Sequence, residues 1–304
     1  MSATPSLGAG RWLRGNLHTH TTNSDGDSPP AAVVAWYRDA GYDFLAVTDH
    51  DVLTLPDDHR AAAGPMLLLH GEEVTAGNVH LNAWGIRAAI APRIGRDVAE
   101  TLQVNSDAIA AAGGVASVNH PNFRWQLTPA DLASLRGGRL FEVHNAGPET
   151  NGAGGHGHPS LEALWDVVLS SGHRYLGVAV DDAHHFRVFG HLYSNPGRAW
   201  VHVRAARAAE PDILAALVAG EFYASTGVEL TAVSTAGGVL AIDIVGRADQ
   251  AYRTTFIGRE GHVLDVVDGV EPRHRLSTAA GYARARVDDS DGHTAWVQPT
   301  FLEG

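Results

Sequence analysis

The chain has 304 residues, a formal net charge of −12 and a hydrophobic fraction of 44%, which suits one large globular domain or one with a small appendage. The acidic balance argues against non-specific nucleic-acid binding, which needs basic surface to displace counterions. Cysteine and lysine are both absent, which excludes thiolate nucleophiles and metal sites, disulfides, Schiff-base chemistry, the P-loop lysine and a metal bridge made from carboxylated lysine. No run approaches the roughly 18 apolar residues of a membrane span. The opening stretch MSATPSLGAGRWLRGN lacks the apolar core of a secretory signal. No membrane association and a cytoplasmic location are therefore expected.

In chain order, Gly15 to Asp51 reads as a strand carrying His18-Thr19-His20, a polar turn at Ser24-Asp25-Gly26, a helix and a second strand. Alternate side chains of a strand share a face, so the two imidazoles point the same way. Ser28 is the expected N-cap, with Pro29 in the first turn and Gly41 as the stop. Phe44 to Thr48 is a buried strand ending at Asp49-His50. This βαβ arrangement places both strand ends on one rim, where His18, His20, Asp25 and His50 converge. With eighteen histidines in the chain, about one H-x-H pair arises by chance; another occurs at His156 and His158. The ordered set of motifs is the stronger signal.

Further along, residues 57–64 read as a short helix and Met66 to Leu69 as a strand followed by His70-Gly71-Glu72-Glu73. Val79 to Gly85 carries His80, and a helix spans Asp97 to Ala112. The strand Val115 to Val118 runs into Asn119-His120-Pro121. A helix over 129–135 precedes the strand Leu140 to His144, and residues 146–158 form a glycine-rich loop. Ser160 caps a helix to Ser171, and Tyr175 to Val180 ends in Asp181-Asp182-Ala183-His184-His185. The strand Ala199 to Val203 and a helix from Pro211 to Ala219 follow. Strands alternating with helices predict an α/β fold with a largely parallel sheet, and ligand candidates recurring after buried strands favour a barrel with its site at one rim. From Glu229 onward only strand patterns appear, which predicts a small antiparallel β module over 229–304 behind a unit ending at 228.

The order H-x-H, S-D-G, T-D-H, G-E-E, H-L-N, N-H-P and D-D-A-H resembles the polymerase and histidinol phosphatase (PHP) superfamily of metal-dependent phosphoesterases. The D-D-A-H-H run, Phe222 to Gly227 and the tail ending Ala295 to Pro299 look like its carbaryl-hydrolase-like branch. The resemblance implies a distorted (β/α)7 barrel and metal ligands at His18, His20, Asp25, His50, Glu73, His80, His120, Asp182 and His184. Glu73 would bridge two ions, with Glu72 as the other choice; Asp181 is the other choice for Asp182. One ion would lie among His18, His20, Glu73 and Asp182, a second among Glu73, His80 and His120, and a third among Asp25, His50 and His184. Nitrogen and oxygen ligands without sulfur suit two or three divalent ions of zinc, manganese or iron.

The expected chemistry is attack by a hydroxide bridging two ions, with Asp25 and His184 serving the leaving group and Arg124 holding an anionic oxygen. His144, His156, His158 and His191 are read as loop or packing residues. The expected activity is hydrolysis of a small organic phosphate. A carboxylic-ester or carbamate hydrolase is the alternative, and a non-catalytic metal-binding scaffold is the reading from another class. The expected partner is a small-molecule ester, with no nucleic acid; the sequence leaves oligomeric state open.

Overall fold

Apolar runs of three to six residues form the strands that carry the site, and the chain turns polar where each of them ends. The computed structural model describes residues 10–302. Its first half contains β1 (Arg11–Asn16), α1 (Pro30–Asp39), β2 (Phe44–Ala46), α2 (Arg60–Ala63), β3 (Leu67–Leu69), β4 (Gly71–Ala76), β5 (Val79–Trp84), α3 (Val98–Ala111), β6 (Val115–Val118), α4 (Pro129–Ser134) and β7 (Leu140–Asn145). The second half contains α5 (Leu161–Ser170), β8 (Leu176–Val180), β9 (Trp200–Ala205), α6 (Glu210–Ala219), β10 (Phe222–Ser225), β11 (Leu230–Ser234), β12 (Val239–Ile244), β13 (Tyr252–Ile257), β14 (Val263–Asp268), β15 (Arg273–Arg275), β16 (Tyr282–Asp289) and β17 (Thr294–Phe301).

These strands form three sheets. One has nine strands in the order β14-β13-β16-β17-β10-β9-β1-β2-β3, one has β4-β5-β6-β7-β8, and one has β11-β12-β15. The α/β class stands, but the expected largely parallel sheet is mixed. The pairs β1–β2, β2–β3, β6–β7 and β7–β8 are parallel, whereas β9 runs antiparallel to β1 and to β10. The pair β4–β5 is an antiparallel hairpin because Gly77, at φ +67°, lets the chain reverse in a tight turn.

Strand pairing among the described residues records no closed barrel. Single parallel bridges join the two larger sheets instead, Thr19 with Ala183 and His50 with Glu73. Beside them, His20 N donates to the Ala183 carbonyl at 2.9 Å and Asp182 N to the His18 carbonyl at 3.1 Å; Glu73 N donates to the Asp49 carbonyl at 3.1 Å. The segments carrying the ligand candidates are therefore tied to one another through their backbones.

Leu13, Leu17, Phe44, Val178, Val201 and Leu217 pack in one apolar cluster between the sheets. A second, with Leu81, Leu102, Phe141 and Trp165, lies under α3, α4 and α5. Two helix starts match expectation: Asp97 accepts from Glu100 N, and Ser160 from Ala163 N. The first helix does not. It begins at Pro30, with Pro29 at the cap position, while Ser28 Oγ donates to Asp27 Oδ1. Past residue 228 the chain is antiparallel, as its patterning predicts, and β17 pairs with β10, so the nine-stranded sheet runs through that point. No helix among the described residues is long and apolar enough to cross a membrane.

Candidate metal centre

The strand β1 ends at Asn16, so His18-Thr19-His20 lies just beyond it rather than on it. The backbone stays extended there by bridging to Ala183, and both rings still turn inward. His18 Nε2 lies 3.1 Å from His20 Nε2. Glu73 Oε2 is 3.3 Å from each of these nitrogens, and Asp182 Oδ1 is 3.2 Å from each. His18, His20 and Glu73 are essentially sealed from solvent.

Glu73 faces a second pair with its other oxygen. Oε1 lies 3.0 Å from His80 Nδ1 and 3.3 Å from His120 Nε2, and it accepts from Asn119 Nδ2 at 2.8 Å. His80 presents Nδ1 inward, while its Nε2 faces the Gly77 carbonyl at 3.2 Å. Nearer the surface, Asp25 approaches His20 Nδ1 at 3.4 Å, His184 Nε2 at 3.3 Å and His50 Nε2 at 3.5 Å. Here the structure departs from the three-way grouping. His20 stands between the first and outer sets, and His50 Nδ1 lies 3.0 Å from Glu73 Oε2. The Asp25 side chain is 53% exposed, so this outer set opens to solvent.

Backbone strain marks the same place. Asp182 has φ +49° and His120 φ +24°, a region that costs a non-glycine residue about 1–3 kcal/mol. Gly26 is needed for a different reason. A Cβ there would meet the His20 and Thr21 backbone at 2.8 Å, displacing the turn that carries Asp25.

The charges are set by the cluster. Burial alone pushes the Glu73 carboxyl up, but the charges of His18 and His80, with the His120 ring against Oε1, hold it well below the ordinary range. Asp182 is likewise pushed up by burial and pulled well down by His18, His20 and His184. Burial of His184 favours its neutral ring, yet Asp25 and Asp182 raise its pKa overall. The carboxylates thus remain ionised although buried.

The donor set fits a divalent cation. Glu73 Oε2 and Asp182 Oδ1 are buried and accept no hydrogen bond, a costly condition for a carboxylate oxygen. A cation held tetrahedrally at about 2.0–2.1 Å spaces its ligand atoms roughly 3.3 Å apart, which matches the 3.2–3.3 Å separations of these oxygens from His18 and His20 Nε2 and the 3.1 Å between the two nitrogens.

Two alternatives resolve by direction. Alternation along β4 turns Glu72 away from the cluster, where its Oε1 accepts from Ile90 N at 2.5 Å and burial raises its pKa to about 7. Asp181 accepts from Tyr37 Oη and from the Gly197, Arg198 and Ala199 amides, so it braces a loop, leaving Asp182 in the cluster. Arg124 is not among the residues that line the cavity. It is exposed, at φ +51°, with Nη1 donating to Asn78 Oδ1 at 3.3 Å and its guanidinium over Phe123; no arginine lines the site cavity among the described residues. The cavity, about 290 Å³, is walled by Phe123, Pro148, Glu149 and Leu192. His144 stacks on Trp296, and His158 on Trp125.

Sequence reading passed over residues that orient the ligands. Glu142 Oε1 pairs with His18 Nδ1 at 2.7 Å, and its Oε2 accepts from His120 N and Asn145 Nδ2, both at 2.7 Å. Such a carboxylate fixes the tautomer that presents Nε2 to a metal. Asn145 Nδ2 also reaches Asp182 Oδ2 at 3.1 Å. Asp49 takes hydrogen bonds from Thr21, Ser24 and Thr54, and so shapes the Asp25 turn. A lone glutamate between Phe141 and Val143 in a buried strand was the available signal for Glu142.

No protein-family model matches the sequence, and no curated protein matches it. Among solved structures, a two-domain protein from Bacteroides vulgatus containing a predicted PHP-like metal-dependent phosphoesterase aligns over 93% of this chain and 92% of its own, at 17% identity and a TM-score of 0.53. Two others align over less of this chain. A protein from Bifidobacterium adolescentis described as a metal-dependent phosphoesterase covers 60% of this chain and 89% of its own (19% identity, TM-score 0.41), and an amidohydrolase from Chromobacterium violaceum covers 57% and 88% (19%, 0.38). The first likeness establishes a shared fold.

Proposed function

We propose that the chain is a PHP-type metal-dependent hydrolase of a small organic phosphate ester, built on the plan of a distorted (β/α)7 barrel. The observation that carries this reading is the pair of buried, unpartnered oxygens, Glu73 Oε2 and Asp182 Oδ1, set against two imidazole nitrogens at metal-ligand spacing. His18, His20, Glu73 and Asp182 would hold one divalent ion, and Glu73 Oε1, His80 and His120 a second. Asp25, His50 and His184, with His20 alongside, would hold a third. The metals in view are zinc, manganese and iron, and the chemistry they supply is activation of water and polarisation of an ester oxygen.

The protein's own groups do the rest. Glu142 holds the His18 ring and Asn119 the Glu73 carboxylate, so the donors are fixed before a substrate arrives. His184 Nδ1–H donates to the Asp182 carbonyl at 2.9 Å, which turns Nε2 toward Asp25 at the cavity. With no third ion bound, a proton shared between His184 Nε2 and Asp25 would sit where a leaving oxygen can take it. The part up to residue 228 would form the catalytic unit and 229–304 a supporting module.

A second reading is favoured by one observation: among the described residues no arginine lines the cavity, and Glu149 does. A neutral carboxyl ester or carbamate, the substrate type implied by the carbaryl-hydrolase-like branch, would suit such walls. The test is turnover of phosphomonoesters, phosphodiesters, carboxyl esters and carbamates by metal-analysed protein. Hydrolysis of phosphate esters in preference to the others is expected. Turnover of the neutral esters alone would replace the first reading with the second, and no turnover of any class would remove both.

A further inference from the structure

The loop between His185 and Ser194 is held in place by polar contacts yet turns apolar side chains outward. Asn195 Nδ2 donates to the His185 and Val188 carbonyls at 2.8 Å, and its Oδ1 accepts from Gly190 N at 2.9 Å. Arg198 donates to the Gly190 carbonyl at 2.6 Å and the Tyr193 carbonyl at 2.8 Å. Asp27 accepts from Phe186 N and Arg187 N. On this frame Val188 is 51% exposed, Phe189 56% and Leu192 72%. A mobile loop could fold such residues inward, whereas a pinned one keeps them out.

Leu192 also lines the metal-site cavity, and Phe123 contributes another apolar side chain to that lining. A ligand whose reacting group sits over the ligand cluster can therefore cover Leu192 with its remainder. Glu149 in the lining, with no arginine there among the described residues, disfavours an acidic remainder.

We propose that residues 188–192 form a fixed apolar lip that receives an apolar substituent of the substrate, with Leu192 as the specificity-determining residue. The occupant is the part of the ester that does not react, and the substrate class is an ester bearing an aryl or bulky alkyl group. This rests on the hydrolase reading for its reacting end alone. A preorganised apolar surface loses little entropy when covered, and covering one leucine side chain is worth about tenfold or more in binding.

The test compares benzyl phosphonate with methyl phosphonate, neither of which is hydrolysed, binding to zinc- or manganese-loaded protein by calorimetry. It is paired with KM and kcat on 4-nitrophenyl and methyl phosphates and on the corresponding acetates. Benzyl phosphonate is expected to bind about tenfold more tightly than methyl phosphonate. In Leu192→Ser with Phe189→Ser that preference should collapse, with KM for aryl esters rising more than kcat falls, and Leu192→Met should restore most of it. Equal binding of the two phosphonates, or no binding of either, would overturn the lip even if the protein hydrolyses esters. An aryl preference in binding without turnover of any ester would uphold the lip and remove the hydrolase reading. Self-association of the wild type, abolished by the same two substitutions, with no aryl preference would give the surface to a second copy of the chain instead.

Discussion

Two buried ionic clusters in this molecule differ in how completely they satisfy themselves. Between α5 and β16, Arg284 is 1% exposed and binds Asp166 through Nε at 2.7 Å and Nη2 at 2.6 Å. Tyr282 Oη donates to the same carboxylate at 2.8 Å, and Arg284 Nη1 reaches Glu162 Oε1 at 2.9 Å. Donors and acceptors match, and the result is a brace between the C-terminal strands and α5. Around Glu73, by contrast, histidines and carboxylates crowd together and two carboxylate oxygens accept nothing. A buried polar group left unpaired in an otherwise ordered site marks a place for a ligand. A paired one marks a joint.

Removing the bridging charge should break that contrast most. Protein prepared without chelator is expected to contain at least two transition-metal ions per chain, and Glu73→Gln to lose most of them, with activity falling by about a thousandfold or more because the two donor sets share that carboxylate. Elemental analysis reads the first effect; full metal content in the variant would take Glu73 out of the bridge. The brace predicts the opposite pattern. Arg284→Ala leaves Asp166 buried without its partner, at a cost of about 3–5 kcal/mol, visible in denaturant unfolding, with metal content retained in the folded fraction. Loss of metal without loss of stability would show that the two clusters are not separable as drawn.

A finer test concerns the carboxylate behind His18. Glu142→Gln keeps an acceptor for His18 Nδ1 but turns an amide toward His120 N and Asn145 Nδ2, which are both donors. Metal affinity measured by chelator competition should fall about 10- to 100-fold, while Glu142→Asp should recover part of it. An unchanged affinity would make Glu142 a spectator.

How much of this was legible in the sequence follows from where each signal lies. The ligand candidates sit at the ends of short apolar runs, so their order could be read without knowing the strand pairing. Glu72 and Glu73 part company only through the alternation of β4, and no local pattern says that β4 opens a new sheet right after β3. The brace was hidden because Asp166 and Arg284 lie far apart in the chain and each looks like a surface charge on its own element. The edge strand β14, Val263–Asp268, is mostly exposed and carries aspartates, so it lacks the apolar run that exposes a buried strand to view. Whether Arg124 reaches the cavity depends on how residues 120–126 pack and not on their types; its backbone is left-handed, at φ +51°, and it is absent from the cavity lining among the described residues. The pairing of β10 with β17 joins segments about seventy residues apart, beyond any reading of local pattern.

The smallest expected effect comes from a buried group that belongs to neither cluster. His202, in β9 between β1 and β10, is 9% exposed, stacks on Tyr223 and accepts from Trp200 Nε1 at 2.9 Å. Burial first, and the Arg14 charge second, lower its pKa to about 3. A base depressed in the folded state is neutral there while the unfolded chain takes up a proton below about pH 6.5. Its contribution is therefore fully present above pH 6.5 and is lost as the pH falls from there toward 3. At pH 5.5, one unit below the unfolded value, the loss is about 1.4 kcal/mol. His202→Gln keeps an acceptor for Trp200 but does not titrate. Between pH 8 and pH 5.5 the wild type should lose about 1.4 kcal/mol more than the variant in urea unfolding, since the other histidines titrate alike in both. Parallel losses would mean that His202 is already solvated or paired in acid, and that β9 contributes nothing to the protein's acid sensitivity.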